Sequence, residues 1–591
     1  MPPTRLRSLG LLALLAIAWI GASLLVANQY YLLLLTLVPI WAAFATSWNV
    51  FSGYSGLVSF GHAAFFGIGA YTATLLLVNY DLTPWFGIPV GALVGAAASA
   101  AIGWPTFRLR GSYFALAMLA YPLMIAYALA WLGYQEVSIP LHRERAAWFM
   151  QFADYHVYVA LAVGLLFVAA GISLAVERSR FGMSLAAIRQ NELAAETAGI
   201  DTFRWKLAAM TLSGGIAAAA GGLYAMVLLV VTPSSVFGVV VSAQAMILAL
   251  FGGAGTVWGP LIGAAVLVPL GETLQAQLGQ FLPGIQGVLY GVVVIAVVLL
   301  APEGIYWKLR DLLARGGRAG AAANIRPARP SIDPERAAPA LRPAPGGPLL
   351  EVVGLSKSYG GITAVQDVSF TIRGFEILGI IGPNGAGKTT LFNLLNGIVA
   401  PSAGLVRFEG QALAGRRPNQ VARLGIARTF QVVRAFSRMS VLENVVVGAY
   451  GRHARDREAW RAATAAVATV GLAPHANALA GSLTNRELRL MELARALASE
   501  PRLLLLDEPL AGLAADDIDE LIAVVRRLPS QGVTVAIIEH TMHAMTGLVD
   551  RFVVLDQGRK ITEGPPDEVL RQPAVIEAYL GRDWVAADAA A

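Results

Sequence analysis

Ten long apolar runs follow one another through the first half of the chain. Each approaches the roughly 20 residues that an α-helix needs to cross the hydrocarbon core of a bilayer. The runs lie at 9–27, 30–51, 59–79, 85–106, 112–133, 156–176, 207–231, 236–252, 258–276 and 282–301. Three of them, at 59–79, 236–252 and 258–276, are alternatively interpreted as re-entrant segments that enter the membrane and turn back. The pattern therefore predicts eight to ten membrane-spanning helices.

The first run has two interpretations. Arg5 and Arg7 precede it, as basic residues precede the apolar core of a secretory signal peptide. The run is longer than such a core usually is, and no clear small-residue cleavage site follows it. We therefore expect an uncleaved first membrane helix.

The second half of the chain has a different pattern. Residues 311–348 are dominated by Pro, Ala, Gly and Arg, a composition typical of a semi-extended linker. Beyond them, short apolar runs of strand length alternate with helical segments. We therefore predict a membrane domain at 1–310, a linker at 311–348, a globular domain at 349–583 and a tail at 584–591.

Charge divides the chain in the same way. The first 310 residues contain 13 Lys/Arg and 10 Asp/Glu, whereas the remaining 281 contain 31 and 28. Charged residues thus make up about 7% of the first part and about 21% of the second, against about 25% in soluble domains. This asymmetry excludes a single soluble enzyme. The absence of cysteine from the sequence excludes disulfides, thiolate metal sites and cysteine nucleophiles.

The first chemically informative motif of the second half is a phosphate-binding loop. A strand-like run at 376–381 leads into GPNGAGKTT at 382–390 and then into a helix-like segment. This is the G-x-x-x-x-G-K-[ST] loop, whose backbone N–H groups wrap phosphates at a helix N-terminus. Lys388 is placed to reach the β- and γ-phosphates, and Thr389 to offer its hydroxyl to Mg²⁺. The predicted nucleotide-binding residues are Tyr359 (stacking on the base), Gly382, Asn384, Gly385, Gly387, Lys388, Thr389 and Thr390.

Hydrolytic residues follow in order along the chain. A buried-strand pattern at 503–506 ends in Asp507, which suits a Mg²⁺ shell, and Glu508, which is placed to orient or deprotonate the attacking water. Gln431 is able to sense metal and water, and His540 follows another apolar strand and is able to contact the γ-phosphate. We predict Glu508, His540 and Gln431 as catalytic residues. The predicted metal-binding residues are Thr389, Gln431 and Asp507.

These motifs resemble a known transporter family. Residues 349–583 are similar to the ABC ATPase of branched-chain amino acid importers, in ARTFQ at 427–431, DEP at 507–509 and EAYLG at 577–581. Residues 30–304 resemble the permease of the same importers, in the segments at 53–71, 108–115 and 252–260. The resemblance implies a polytopic α-helical membrane domain followed by an α/β P-loop ABC ATPase domain.

The same resemblance implies a function and partners. We expect ATP-driven import of branched-chain amino acids across the bacterial inner membrane, with the ATPase domain in the cytoplasm and with ATP and Mg²⁺ as cofactors. A second permease subunit, a second ATPase subunit and an extracytoplasmic substrate-binding protein are implied as partners, and nucleic acid is not. Import of urea, short-chain amides or other amino acids is the alternative. An exporter or a membrane-tethered regulatory ATPase fits the sequence less well.

Two features of the membrane half carry further predictions. His62 lies in an apolar stretch and has either a structural hydrogen bond or a direct role in transport. The amphipathic loop at 178–206 reads either as a solvated surface or as a short helix for a partner's groove. The resemblance aligns this loop with the family's coupling segment, with Arg189, Glu192 and Glu196 as its predicted contact residues.

One departure from the family pattern is expected to affect mechanism. The signature, usually Leu-Ser-Gly-Gly-Gln, aligns with 483–487, where its last four positions are Thr484, Asn485, Arg486 and Glu487. A glycine at the fourth position allows close backbone approach to phosphate, and Arg486 replaces it. Ala514 also stands where the D-loop usually ends in Asp. We hypothesise an asymmetric pair, in which a partner's normal signature completes this chain's phosphate loop; the alternative is that the variation is tolerated.

Overall fold

A computed structural model of the 591-residue chain describes residues 3–109, 111–177, 179–282, 284–300, 304–308 and 346–580. The described residues form two compact units. One holds those of Met1–Arg189 and Thr202–Ala328, and the other those of Gln190–Asp201 and Arg329–Ala591. The predicted linker lies outside the described residues except for 346–348, and the predicted tail lies outside them entirely.

The first unit is built from apolar helices. In the part of the chain that the structure describes, eight segments are long and apolar enough to cross a membrane, which agrees with the predicted eight to ten. The helices are α1 Pro3–Ser23, α2 Gln29–Trp48, α3 His62–Tyr80, α4 Pro84–Thr106, α5 Ser112–Trp131, α6 Tyr155–Glu177, α7 Arg180–Gln190, α8 Glu192–Thr197, α9 Thr202–Leu228, α10 Pro233–Phe237, α11 Val239–Gly252, α12 Trp258–Leu278 and α13 Ile285–Leu300.

Several helices depart from regular geometry. A π-helical turn, Asn49–Gly53, extends α2. The predicted span at 236–252 is interrupted where Gly238 adopts φ −56° and ψ 146°, which separates α10 from α11. A two-residue antiparallel pair joins β1 (Val137–Ser138) to β2 (Val230–Val231). The apolar pattern predicted the spans but not these interruptions.

Small residues let α3 and α9 approach closely. A Cβ atom on Gly69 of α3 would overlap the backbone of Ala218 in α9, and one on Gly221 would overlap the carbonyl group of Phe66. In a bilayer, helices associate through close packing rather than through expulsion of water, so such contacts carry much of the stabilisation. The glycines of these two helices are therefore packing residues.

We expect Gly69→Ala to destabilise the membrane unit, because the added methyl group must displace the backbone of α9. Overpacking of this kind typically costs about 1–3 kcal/mol. Thermal unfolding of the purified chain in detergent should show a lower midpoint. Gly164→Ala in α6 is the matched control, since nothing lies within 4 Å of its Cβ position. Equal midpoints for the two variants would contradict the packing role.

The second unit contains two sheets. Its strands are β3 Pro348–Tyr359, β4 Ile362–Arg373, β5 Ile377–Ile381, β6 Ala403–Phe408, β7 Gln411–Ala412, β8 Ile426–Arg428, β9 Leu503–Asp507, β10 Thr534–Ile538, β11 Arg551–Asp556 and β12 Arg559–Gly564. Its helices after residue 346 are α14 Lys388–Leu395, α15 Pro418–Leu424, α16 Val441–Ala449, α17 Asp456–Thr469, α18 Asn485–Leu497, α19 Ala515–Arg527, α20 Met542–Thr546, α21 Pro566–Val569 and α22 Pro573–Leu580.

The larger sheet brings the ends of its parallel strands together. Its strand order is β12-β11-β5-β10-β9-β8, and the smaller, antiparallel sheet has the order β4-β3-β6-β7. Ile538 of β10 is in register with Ile380 of β5 on one side and with Asp507 of β9 on the other. Strands β5, β9 and β10 are buried along their whole length. The loops that follow these strands therefore emerge side by side.

Residues Gln190–Asp201 form part of this second unit although they precede it in the chain. Asn191 caps α8 by accepting a hydrogen bond from the backbone N–H of Ala194 at 2.9 Å. Arg434 donates to the Asn191 side chain at 3.2 Å, and Arg423 donates to the carbonyl oxygen of Gly199 at 3.3 Å. The short helix expected within 178–206 is thus two helices, α7 and α8.

Candidate functional site

The phosphate loop joins β5 to α14. Gly382, Gly385 and Gly387 have φ values of 153°, 81° and 95°, which side chains other than glycine rarely adopt. At Gly387 a Cβ atom would also overlap the carbonyl oxygen of Ala364. Helix α14 begins at Lys388, so the first-turn N–H groups face the loop. The geometry is that of an anion-binding helix N-terminus.

Lys388 is held within the loop. Its Nζ donates to the carbonyl oxygens of Gly382 and Pro383 at 2.7 and 2.8 Å. Burial lowers the pKa of Lys388, and the negative charges of Glu508 and Asp507 oppose that shift. The ammonium group therefore lies within electrostatic reach of both predicted carboxylates.

Glu508 is the centre of a three-residue cluster. Gln431 donates from Nε2 to Glu508 Oε2 at 2.7 Å, and His540 Nε2 lies 2.7 Å from Glu508 Oε1. Glu508 has a positive φ of 48°, and its N–H bonds to the carbonyl oxygen of Ile538 at 2.9 Å. The structure thus brings together the three residues that the sequence analysis predicts as catalytic.

Asp507 is bound to a buried arginine. Arg428 donates from one amino group to Asp507 Oδ2 and from the other to Asn393 Oδ1, both at 2.7 Å. Both side chains of the ion pair are only 2% exposed. Burial raises the pKa of Asp507, and Arg428 opposes that shift. The guanidinium also lies near the Phe392 and Phe430 rings.

The residues at this position fit a hard divalent cation. Asp507 Oδ1 is buried and has no hydrogen-bond partner, so one carboxylate oxygen is available for a metal shell. Thr389, in the first turn of α14, has an exposed side chain. Carboxylate, hydroxyl and amide oxygens are the ligand types that Mg²⁺ accepts. Asp507, Thr389 and Gln431 would hold the ion.

The remaining predicted nucleotide contacts lie at accessible positions. Tyr359 ends β3 with an exposed ring, and Lys357 Nζ lies 5.1 Å from the ring centroid. Asn384 is exposed in the phosphate loop, and Thr390 is half-buried in α14. These placements leave the tyrosine ring and the loop open to a nucleotide.

The altered signature is tied to its own subunit. Thr484 caps α18 in a capping box with Glu487. The hydrogen bond from the Thr484 backbone N–H to the Glu487 carboxylate is the main cause of the lowered pKa of Glu487. Asn485 donates to the carbonyl oxygen of Gly512 at 2.9 Å. Arg486 forms ion pairs with Glu520 at 2.5 Å and Asp517 at 3.5 Å in α19. The Arg486 guanidinium is therefore directed at α19.

The predicted residues of the membrane half lie in different surroundings. His62 is fully buried, and its Nδ1 and Nε2 lie 2.9 and 2.7 Å from the hydroxyls of Ser59 and Ser213. This arrangement favours the structural interpretation. Arg189 donates to the carbonyl oxygen of Gly53 at 2.6 Å within the first unit. Glu192 and Glu196 lie in α8 of the second unit.

Sequence reasoning missed several buried residues of the site. Arg428 lies inside the ARTFQ motif, but the sequence pattern indicates no role for it or for its partner Asn393. Glu539 accepts hydrogen bonds from the backbone N–H of Leu510 and His540, at 2.6 and 3.0 Å, and so links the loops after β9 and β10. Arg489, in α18, bonds to loop carbonyl groups. Arg489 stands among other charged residues, Arg486, Glu487 and Glu492, so no local pattern distinguishes it.

Family models match both halves of the chain. A model described as the branched-chain amino acid transport system / permease component matches residues 30–298. An ABC transporter model matches residues 365–511, and a model of branched-chain amino acid ATP-binding cassette transporters matches 559–585.

Individual proteins are similar to the second half. The high-affinity branched-chain amino acid transport ATP-binding protein BraF of Pseudomonas aeruginosa is 39% identical over 251 residues, which cover 40% of this chain and 98% of BraF. LivG of Escherichia coli K12, with the same description, is 40% identical over 253 residues, covering 40% of this chain and 98% of LivG. A solved nucleotide-free ATP-binding cassette from an ABC transporter is 28% identical, with a TM-score of 0.37 and coverage of 40% of this chain and 100% of that one.

We expect Arg428→Met to destabilise the ATP-binding unit strongly. Removing one partner of a buried ion pair leaves an uncompensated charge, at a typical cost of about 3–5 kcal/mol. The unfolding midpoint of the purified chain should fall well below that of the native sequence. Arg455→Met is the control, because Arg455 is 83% exposed in a 3.5 Å pair with Glu458 and should contribute almost nothing. Similar midpoints for both variants would show that the Arg428–Asp507 pair does not stabilise the unit as expected.

Proposed function

Because this chain belongs to the family of branched-chain amino acid ABC transporters and carries both a permease region and an ATP-binding region, we propose that it uses ATP hydrolysis to import branched-chain amino acids. It is a multi-pass membrane protein with a cytoplasmic ATPase domain, and that domain binds ATP. The observation that supports the hydrolytic part of the proposal is the Glu508 cluster beside an intact phosphate loop.

The hydrolytic roles follow from the contacts. Lys388 moves from the loop carbonyls to the β- and γ-phosphates, which are stronger acceptors for its ammonium group. Glu508 orients and deprotonates the attacking water, while His540 and Gln431 hold its carboxylate from opposite oxygens. Mg²⁺, bound by Asp507, Thr389 and Gln431, would neutralise charge on the phosphates.

Coupling to the permease requires a segment that responds to the ATP-binding unit. Residues Gln190–Asp201 suit this role, since Gln190 accepts a hydrogen bond from the backbone N–H of Arg438 at 3.2 Å and Asn191 accepts one from Arg434. Both arginines lie shortly after Gln431 in the chain. Changes around Gln431 therefore have a short path to this segment. A second permease, a second ATPase and a binding protein complete the proposed importer.

We further propose that two such ATPase units act asymmetrically. The phosphate loop and Glu508 cluster of this chain are complete, whereas its signature presents Arg486 bound to α19 in place of a glycine. A partner with an ordinary signature would complete the site of this chain. The partner's own phosphate loop would face the altered signature and hydrolyse ATP more slowly.

Glu508→Gln should separate nucleotide binding from hydrolysis. Binding of a fluorescent ATP analogue should persist, and hydrolysis should fall by about 10²-fold or more, because loss of a positioned general base typically costs 10²–10⁴-fold. Lys388→Ala is the companion variant and should lose binding. Leucine uptake in proteoliposomes containing the partner subunits and binding protein should stop with either variant. Native-like hydrolysis by Glu508→Gln would contradict the proposed role of Glu508. Uptake of urea or short amides instead of leucine would contradict the proposed substrate class.

Arg486→Gly tests the asymmetric pair. We expect this substitution to raise ATP hydrolysis by the assembled transporter, because it frees the signature from α19 and restores backbone access to phosphate. Hydrolysis is measured with the second ATPase inactivated and with it intact. The hypothesis fails if homodimers of the unmodified chain already hydrolyse ATP with normal cooperativity.

A further inference from the structure

Arg489 binds backbone carbonyl groups on both sides of the Glu508 cluster. Its side chain is buried within α18. One amino group donates to the carbonyl oxygen of Phe430 at 3.1 Å. The other donates to the carbonyl oxygens of Gln431 at 2.8 Å and Ala511 at 3.3 Å. One guanidinium thus connects the segment after β8 with the loop after β9.

The charge of Arg489 is used differently from that of its neighbour on the same helix. Arg495 pairs with Glu492 at 3.2 Å and donates to the carbonyl oxygen of Arg434 at 2.7 Å. Arg489 instead donates its hydrogen bonds to backbone carbonyl oxygens, and its charge helps to oppose the burial that raises the pKa of Glu492. Hydrogen bonds from a charged donor are stronger than neutral ones, so Arg489 holds these two backbone segments firmly in place.

The three carbonyl groups belong to residues that shape the hydrolytic cluster. Gln431 donates from its side chain to Glu508, and the Ala511 N–H bonds to the Glu508 carbonyl oxygen at 3.3 Å. Arg489 therefore restrains the backbone of one partner of Glu508 and the loop that begins at Glu508. Helix α18, which supplies Arg489, starts at the altered signature.

We propose that Arg489 is a positioning residue that sets the Gln431–Glu508 geometry and links movement of the signature helix to hydrolysis in the same subunit. When α18 shifts, the carbonyl groups of Gln431 and Ala511 shift with it. The distance between the Gln431 and Glu508 side chains then changes. The signature helix thereby acts on this chain's own site as well as facing a partner. This inference rests on the proposed ATP-driven function.

The test is steady-state ATP hydrolysis by the assembled transporter in nanodiscs, with kcat and KM measured separately. We expect Arg489→Gln to lower kcat roughly 10- to 100-fold, since small misplacements of catalytic groups cost about that much. KM and the affinity for a fluorescent ATP analogue should stay within about twofold, because the phosphate loop is untouched. Arg489→Lys, which keeps the charge but reaches fewer carbonyl groups, should lie in between.

Arg551→Gln is the matched control. Arg551 is also a largely buried arginine, bonded through two nitrogens to Glu376 at 3.0 Å, but it lies outside the hydrolytic cluster. It should lose thermal stability with little change in kcat. Arg489 is structural and the proposal is wrong if Arg489→Gln weakens nucleotide affinity and lowers kcat in parallel. The same holds if it lowers only the melting midpoint, as Arg551→Gln does.

A double-mutant comparison identifies the route of the effect. If Arg489 acts through Gln431, then Arg489→Gln should lower kcat much less in a Gln431→Ala background than in the native one. Fully multiplicative effects would overturn that route. If Arg489→Gln does not fold, the same comparison with Arg489→Lys decides the question. An unmodified transporter without any ATP hydrolysis would instead refute the proposed function, so the two failures are distinguishable.

Discussion

The register of the parallel strands is the constraint on which the candidate site depends. Ile538 pairs with Ile380 and Asp507 at once, so the loops after β5, β9 and β10 leave the sheet at one level. A shift of one residue would turn each side chain to the opposite face and separate Asp507 from the phosphate loop. These strands are buried along their whole length, as is typical of parallel sheets covered by helices.

Buried charges hold the loops that the register brings together. Arg428 donates to Asp507 and Asn393. Glu539 accepts hydrogen bonds from the backbone N–H groups of Leu510 and His540, in the loops after β9 and β10. An isolated buried charge is costly, so each of these groups has to be paired or hydrogen-bonded to be tolerated. Their contacts lie at the carboxyl edge of the sheet, where loop positions decide the chemistry. The apolar strands form the sheet, and the buried charged residues hold the loops at its carboxyl edge in position.

How far the sequence predicted the molecule depended on the range of each interaction. The phosphate loop and the strand ending at Asp507 and Glu508 follow from local patterns, and the apolar runs predicted the membrane helices. The Arg428–Asp507 pair joins residues 79 positions apart, and the backbone leaves helical geometry at Gly238 within an apolar run. Neither has a local pattern that identifies it. Grouping of Gln190–Asp201 with the ATP-binding unit likewise required the three-dimensional structure.

The altered signature shows why a departure from a motif need not be a loss of structure. Thr484 and Glu487 cap α18, Asn485 bonds to the loop at Gly512, and Arg486 pairs with α19, so all four positions stabilise the local fold. The Arg486–Glu520 pair is weak, however, because its side chains are 37% and 43% exposed and such pairs contribute about 0–1 kcal/mol. Arg486 therefore biases the resting position of the signature helix without locking it, and the buried bonds of Arg489 determine what a movement of that helix does to the site.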